Sequence, residues 1–330
     1  MLQLLFKKYK STYNDGLLDL LIHSTFKLIT YGLLYYNKNN ILSLFVVPLL
    51  SLLNVKTFII HHDCCHFSYV PNKKLNVFIG MITGIMVCNP YNWSINHNTH
   101  HITNGNKENK YDFPYNETIF HTVEQYKKMS YIKKKGYRIF KHPFIFFLII
   151  PIIKFLILMR FNFIRILLKK MYLKTNKSFI VLEQIINNTG VVYMCYILHS
   201  YGIFYHWLIA FTISCSLGVS LFHSQHCFNP SYIVNNDTWN IVDSGLKGSS
   251  LILIPYYLKY ITSGIEFHHI HHINTKIPGY NLEKYYNEII KFDDRYNNIS
   301  KLTLKDCYDN NWLCLYDEKK EKYVSFDEVD

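Results

Sequence analysis

The chain is short of the features that organise a secreted or modular protein. Its eight cysteines are scattered, with Cys64 and Cys65 adjacent, and form no evenly spaced framework. A disulfide scaffold is therefore excluded, and reduced thiols facing a cytosol are expected. No apolar segment follows directly behind Lys7, Lys8 and Lys10, and no small-residue cleavage site is found, so a cleaved signal peptide is not expected. There is no long-period repeat and no low-complexity linker, which makes one domain over residues 1–330 the economical organisation. Acidic residues are scarce: 23 Asp and Glu stand against 35 Lys and Arg, a formal charge of +12. That imbalance, in a chain that is 49% hydrophobic and rich in Tyr and Phe, is odd for a soluble enzyme. It is ordinary for a membrane protein with basic cytoplasmic loops.

Histidine is what the chain has in quantity. Three clusters stand out: His62-Asp63-Cys64-Cys65-His66, His97-Asn98-Thr99-His100-His101 and His268-His269-Ile270-His271-His272. Residues three and four apart share one face of a helix, so each cluster can aim two or three imidazoles at a single point. Eight imidazoles exceed the four ligands that satisfy a zinc ion, which points to a two-metal centre. In the first cluster the i, i+4 pair His62 and His66 is better aligned than a pair using His61. In the third, His268, His271 and His272 share a face and His269 does not. The later stretch FHSQHCF supplies His226 as a ninth ligand, with His223 left to packing or to support of the ligands. His23, His121, His142, His199 and His206 are isolated and are read as structural. An all-imidazole, thiolate-free site suits zinc, copper or iron, and the number of imidazoles with the membrane setting favours two irons that activate dioxygen. Cys64 and Cys65 diverge from the flanking histidines on a helix. Asp63 and Glu266 are the candidates to hold the second ring nitrogen of a ligand.

Six apolar stretches approach the length of about 20 residues that a membrane-crossing helix needs. If the clusters bind one centre they lie on one side of the membrane, so the number of crossings between any two is even. Val77–Pro90 alone separates the first two clusters and is short, so it is expected to be re-entrant or interfacial. Pro143–Phe161 contains Pro151 and Lys154, is flanked by Lys141 and Arg160, and is likewise expected at the interface. The expected crossings are then Leu17–Tyr36, Ile41–Ile60, Ser178–Leu198 and Gly202–Phe222. Residues 102–177 carry sixteen Lys/Arg against four acidic residues, which assigns that stretch and the clusters to the cytoplasmic face. From Asn274 onward the chain reads as a polar cytosolic tail in which LEKYYNEIIKF forms a short amphipathic helix. The fold class expected is all-α: a polytopic membrane protein with about four transmembrane helices and a cytosolic histidine-rich helical cap.

The motifs HDCCH, HNTHH and HHIHHINTKIPGYNL, with Trp93 ahead of the second and Thr103-Asn104-Gly105-Asn106 after it, resemble those of the membrane fatty acid desaturases. Within that family they are most similar to the methyl-end, omega-type (delta-12/omega-3-like) acyl-lipid branch. The likeness continues through FHSQHCF, GLKGSSLILIP and LYDEKKEKYVSF. It implies a non-haem di-iron enzyme that uses dioxygen to put a cis double bond into a membrane-lipid acyl chain. Its two electrons would come from an external b-type cytochrome or ferredoxin, and no nucleic acid is involved. Carried onto this sequence, the family's ligand positions are His62, His66, His97, His100, His101, His226, His268, His271 and His272. The resemblance implies an integral membrane location, in the endoplasmic reticulum of a eukaryotic host and otherwise in an inner membrane. The first motif departs from the family in Cys65 and Phe67 where glycine is expected. Glu266-Phe267 precede the third motif where small residues are common, and Cys227 and Asn229 replace polar and acidic residues after His226. These departures bear on the acyl channel, not on the ligands. The absence of HPGG and of Gln at the head of the third motif disfavours the front-end branch. The competing readings are a di-iron hydroxylase or ketolase acting on lipids, alkanes or carotenoids, and, from another class, a membrane metal transporter or a zinc-dependent receptor.

Overall fold

The computed structural model describes residues 2–108, 120–168 and 176–329; parts of the basic stretch, 109–119 and 169–175, lie outside it. Long helices dominate: α1 (Tyr13–Asn37), α2 (Ser43–Cys65), α3 (Lys73–Met86), α4 (Trp93–His101), α5 (Tyr131–Lys141), α6 (Lys177–Ser200) and α7 (Phe204–His226). Their starts follow from local chemistry. Thr12, Asn72 and Asn176 each turn a side-chain oxygen onto a free amide of the first turn, of α1, α3 and α6 respectively. Gly202, at φ +71°, reverses the chain between α6 and α7 in a conformation that favours glycine. Helix α2 is central and packs against α1, α3 and α7. The turns after α1 and α6 lie side by side, because Lys38 Nζ donates to the Tyr201 carbonyl at 2.6 Å. The two hairpins thus point the same way, and the histidines sit at the opposite end.

By length and composition four helical segments can cross a bilayer: Tyr13–Asn37, Ser43–Cys65, Phe144–Leu168 and Phe204–His226. The number agrees with expectation, but the membership differs. Phe144–Leu168, expected at the interface, qualifies; α6, which contains the expected span Ser178–Leu198, does not. The reason is chemical: Glu183, Gln184, Asn187 and Asn188 make α6 polar, and they pair inside the protein. Asn187 and Asn188 accept from Arg160 at 2.6 and 3.1 Å, and Glu183 binds the start of α4. Phe144–Leu168 is also not one helix. A wide turn over Phe144–Ile149, a helix over Ile150–Leu156 and a tight turn over Leu158–Phe161 follow one another. Phe146 and Phe147 meet His223 edge to face, with ring centroids 5.8 and 5.1 Å apart. At the other end Asn162 bonds Asn92 and Asn96 at 2.5 and 3.2 Å. The segment therefore enters and leaves beside the histidine-bearing helices.

The stretch from Asn274 onward is packed against earlier parts of the chain, and the C-terminal third as a whole is built of helices and short strands. It supplies α8 (Ile241–Gly248), α9 (His268–Ile273) and α10 (Gly279–Ile289). The stretch read as an amphipathic helix is α10, and it buries Leu282, Tyr285 and Ile289 completely. Two small sheets tie the cap. Strand β2 (Leu251–Ile252) pairs in parallel with β3 (Lys301–Leu302). Strand β4 (Leu315–Asp317) pairs in parallel with β1 (His121–Thr122) and antiparallel with β5 (Lys322–Val324). Before α9 the chain turns through Gly264, at φ +83°, where a Cβ would collide with the Gly279 carbonyl. That backbone-to-backbone contact sets the start of α10 against the turn. Gly264→Ala is expected to cost at least about 1–3 kcal/mol, read as a lower thermal midpoint in detergent size-exclusion assays.

Candidate metal centre

Each histidine motif occupies one helical element. His62 lies in the last turn of α2 and His66 caps it, its amide bonded to the His62 and Asp63 carbonyls. His97, His100 and His101 lie on α4, His268, His271 and His272 on α9, and His226 ends α7. Helices α4 and α9 face each other across the end of the bundle, so their imidazoles interleave into two groups. One contains His62, His66, His97, His101 and His271; the other contains His100, His226, His268 and His272. Within each group one ring nitrogen per residue lies within 4.8 Å of all the others. The structure thus brings together all nine residues singled out from the sequence, and it splits α4 and α9 between two centres.

The donor set fits metal ions. Several Nε2 atoms face one another: His101 to His97 at 3.1 Å, His101 to His271 at 3.2 Å, His226 to His100 and His268 at 3.1 and 3.0 Å. Two nitrogens bound to a common ion at about 2.0–2.1 Å stand roughly 3.0–3.4 Å apart, which is the separation found. The rings are also held neutral. Burial, and then the neighbouring imidazoles, keep His97, His101, His271 and His272 well below the ordinary histidine range. The Nε2 atoms of His62 and His66 are buried with no hydrogen-bond partner. Neutral, desolvated nitrogens converging on one point are electron-pair donors awaiting a cation.

The surroundings brace this arrangement. His62 Nδ1 lies 3.3 Å from Asp63 Oδ1, while Asp63 Oδ2 accepts from the Gly279 amide at 2.7 Å. Asp63 therefore ties α2 to α10 as well as orienting a ligand. Glu266, the other candidate for that role, makes no hydrogen bond to a histidine; its neighbour Ile265 accepts instead from Gln225 at 2.7 Å. His226 Nδ1 is held by the Gly248 carbonyl at 3.0 Å. That acceptor comes from the end of α8, so its role is not visible in the local sequence. Trp93 stacks on His97 at 4.3 Å. Glu183 of α6 accepts the amides of Tyr91 and Asn92 at 2.6 and 3.1 Å, fixing the chain just ahead of α4. The histidines set aside fall outside both groups. His61 bonds the Gly80 carbonyl at 2.8 Å and Asn89 at 3.2 Å. His223 lies among Phe120, Phe146 and Phe147, and His269 lies against Phe267 and Tyr286. All eight cysteines are free, and neither Cys64 nor Cys65 joins a ligand group.

A narrow apolar cleft runs from this centre between α2, α7 and the Ile150–Leu156 helix. Its walls include Phe58, Trp93, Phe155 and Phe222, and His62 stands at one end. At Gly218, in the α7 wall, a Cβ would meet nothing within 4 Å.

A metal-binding end on an apolar cleft in a membrane protein has a counterpart among known proteins. Residues 39–299 match the family model described as fatty acid desaturase. The chain belongs to the fatty acid desaturase family. This desaturase is 32% identical to "Fatty acid desaturase" of Bacillus subtilis (strain 168) over 278 residues, 82% of this chain and 74% of that protein. It is 29% identical to "sn-1 acyl-lipid omega-3 desaturase (ferredoxin)" of Nostoc sp. (strain 36), over 69% of this chain and 61% of the relative. With the chloroplastic omega-6 fatty acid desaturase of Arabidopsis thaliana it shares 23% identity, over 82% of this chain and 58% of the relative. Both plant and cyanobacterial relatives are thus covered over less than two thirds of their length. The desaturase reading is supported over a hydroxylase, a transporter or a receptor. The desaturase is an oxidoreductase acting on lipid at a membrane.

Elemental analysis of purified desaturase tests the grouping. His226→Ala is expected to halve the metal retained per chain, since it removes one donor from the four-histidine group. His269→Gln, outside both groups, is expected to leave metal content unchanged.

Proposed function

We propose that this desaturase removes two hydrogens from adjacent methylenes of an acyl chain carried by a membrane lipid, leaving a cis double bond. Two iron ions are the proposed metals, one held by His62, His66, His97, His101 and His271 and the other by His100, His226, His268 and His272. Dioxygen is the co-substrate and leaves as two waters, with two electrons and two protons from outside and two hydrogens from the chain. A b-type cytochrome or a ferredoxin supplies the electrons, and the ferredoxin in the name of the Nostoc relative favours the second. The observation that carries the reading is the junction of two all-imidazole groups with an apolar cleft at His62.

When bound, the metals supply an oxidant strong enough to break an unactivated C–H bond. The protein positions and excludes. Phe58, Phe155 and Phe222 line a dry path that an extended acyl chain can fill, and holding one methylene pair in place removes much of the entropic barrier. Trp93, between His97 and the cleft wall, keeps the ligand ring at a fixed tilt while closing the cleft to water. Asp63 and the Gly248 carbonyl hold His62 and His226 by their outer nitrogens, so that the inner nitrogens stay free to donate.

The proposed crossings are α1, α2, α6 and α7, with Phe144–Leu168 dipping in and returning. The Lys38–Tyr201 bond, which puts both hairpin turns at the end away from the histidines, supports this set. The polar residues of α6 are offset by Arg160 and the backbone of Tyr91 and Asn92. The histidine end faces the cytosol, in keeping with the lysine run Lys133-Lys134-Lys135 and Arg138 of α5. The membrane is the endoplasmic reticulum in a eukaryotic host and otherwise an inner membrane.

Expression in a host without polyunsaturated lipids is expected to yield a new double bond toward the methyl end, seen by gas chromatography–mass spectrometry of total fatty acids. Hydroxylated or unchanged lipids, with iron-loaded protein and a competent electron donor present, would overturn the reading. His101→Ala or His271→Ala is expected to abolish product while the protein remains in the membrane by immunoblot. Retained product would refute the ligand assignment.

A further inference from the structure

Between α1 and α2 lies a polar group that the reaction does not use. Lys27 and His23, one helical turn apart on α1, both reach Thr57 of α2. Lys27 Nζ lies 2.7 Å and His23 Nε2 3.0 Å from Thr57 Oγ1. The Thr57 hydroxyl proton is committed elsewhere, to the Leu53 carbonyl at 2.8 Å. Thr57 Oγ1 therefore accepts from both neighbours. His23 must carry its proton on Nε2, which leaves Nδ1 a bare acceptor, and that nitrogen is buried with no partner. Both side chains are deep in the protein, each 3% exposed. Thr57 is the one hydrogen-bond partner of Lys27 among the described residues. The carboxylate two turns away, Asp19, is taken by Lys56 at 2.7 Å and by the Tyr69 hydroxyl at 2.9 Å.

A lysine amine buried in an apolar helix without a counter-ion is costly to keep charged, and such residues generally pair or mark a ligand site. The space beside it offers room. A cavity of about 380 Å³ has His23, Lys27 and Thr57 in its wall and is otherwise mostly apolar. Its rim residues Leu28, Phe78 and Ile82 are exposed on the flank of α1 and α3, where the bilayer lies. This cavity shares no lining residue with the cleft at the metal centre. Helix α2 separates the two, presenting Thr57 to one and Val55, Phe58 and His62 to the other.

We propose that this cavity binds a long-chain free fatty acid, its carboxyl group between Lys27 and His23 and its tail along Leu28, Phe78 and Ile82. A protonated carboxyl group matches both the donor and the acceptor. One oxygen accepts from Lys27, and the other, when protonated, donates to His23 Nδ1. A phosphodiester offers acceptors only. Its headgroup also belongs at the membrane surface, whereas Lys27 is the fifteenth of the 25 residues of α1 and so lies near mid-membrane. Such a site distinguishes free acid from the esterified chains consumed at the metals.

The test uses the full chain in phosphatidylcholine nanodiscs and measures equilibrium binding of tritiated oleic acid. Saturable binding is expected. Lys27→Met and His23→Leu are each expected to weaken it roughly tenfold or more, as loss of a charge-assisted or buried hydrogen bond does. Gly218→Phe, which fills the other cleft, is expected to leave it unchanged. On the unaltered protein, oleyl alcohol and dioleoyl phosphatidylglycerol, a phosphodiester, are expected to compete roughly tenfold less well than oleic acid. Unchanged binding by folded Lys27→Met, loss of binding in Gly218→Phe, or equal competition by the alcohol or the phosphodiester would overturn the proposal. The competition arms need no variant, so a substitution that prevents folding does not shelter it.

Discussion

Imidazole nitrogens facing one another at about 3 Å in a dry interior need a proton on one of them or a shared cation between them, since two bare lone pairs repel. At the end of this bundle nine imidazoles converge from four helical elements. The surroundings hold that geometry. Burial keeps His97, His101 and His271 from taking up a second proton. Packing of α4 against α9 does the rest, since i, i+3 and i, i+4 spacing lets one short helix serve both groups.

The price of this arrangement is a set of buried polar contacts inside an otherwise apolar bundle. Glu183 holds two backbone amides ahead of α4, Arg160 holds Asn187 and Asn188, and Asn162 bridges Asn92 and Asn96. These link α6 and the Phe144–Leu168 segment to the histidine helices. Pairing covers most of the polar atoms of these residues, the condition on which polar groups persist at membrane depth, with Arg160 Nε, Asn187 Nδ2 and Asn96 Oδ1 left over. Lys27 and His23 differ in that the unpartnered group belongs to the wall of a cavity.

Much of the centre was legible in the sequence, because helical periodicity is local. The spacing of His97, His100 and His101, and of His268, His271 and His272, selects the inward faces without knowledge of the partner helix. Assignment to one group or the other was not legible, since it depends on how α4 meets α9. The second-nitrogen partners divided in the same way: Asp63 is adjacent to its histidine, whereas Gly248 comes from another helix and Glu266 is near only in sequence. Hydropathy and the parity of crossings select different sets of helices, because hydropathy scores side chains without their partners. Asn187 and Glu183 count as polar in α6 although they are paired, and Phe144–Leu168 counts as one apolar run although it bends back. The C-terminal stretch read as a tail because its surface is charged. Its buried side chains, Leu282, Tyr285 and Ile289, recur on one face of a helix that packs beneath the third motif.

The bonds from the C-terminal third to earlier parts of the chain bear on how the protein is made. Asp63 meets Gly279, the His66 carbonyl meets Lys276, Lys8 and Tyr9 meet Glu288, and Asn229 meets Tyr323. In each pair the earlier residue leaves the ribosome well before its partner exists. The first two histidine motifs are therefore made long before the third, and the two groups are complete only once the chain has been made as far as His272.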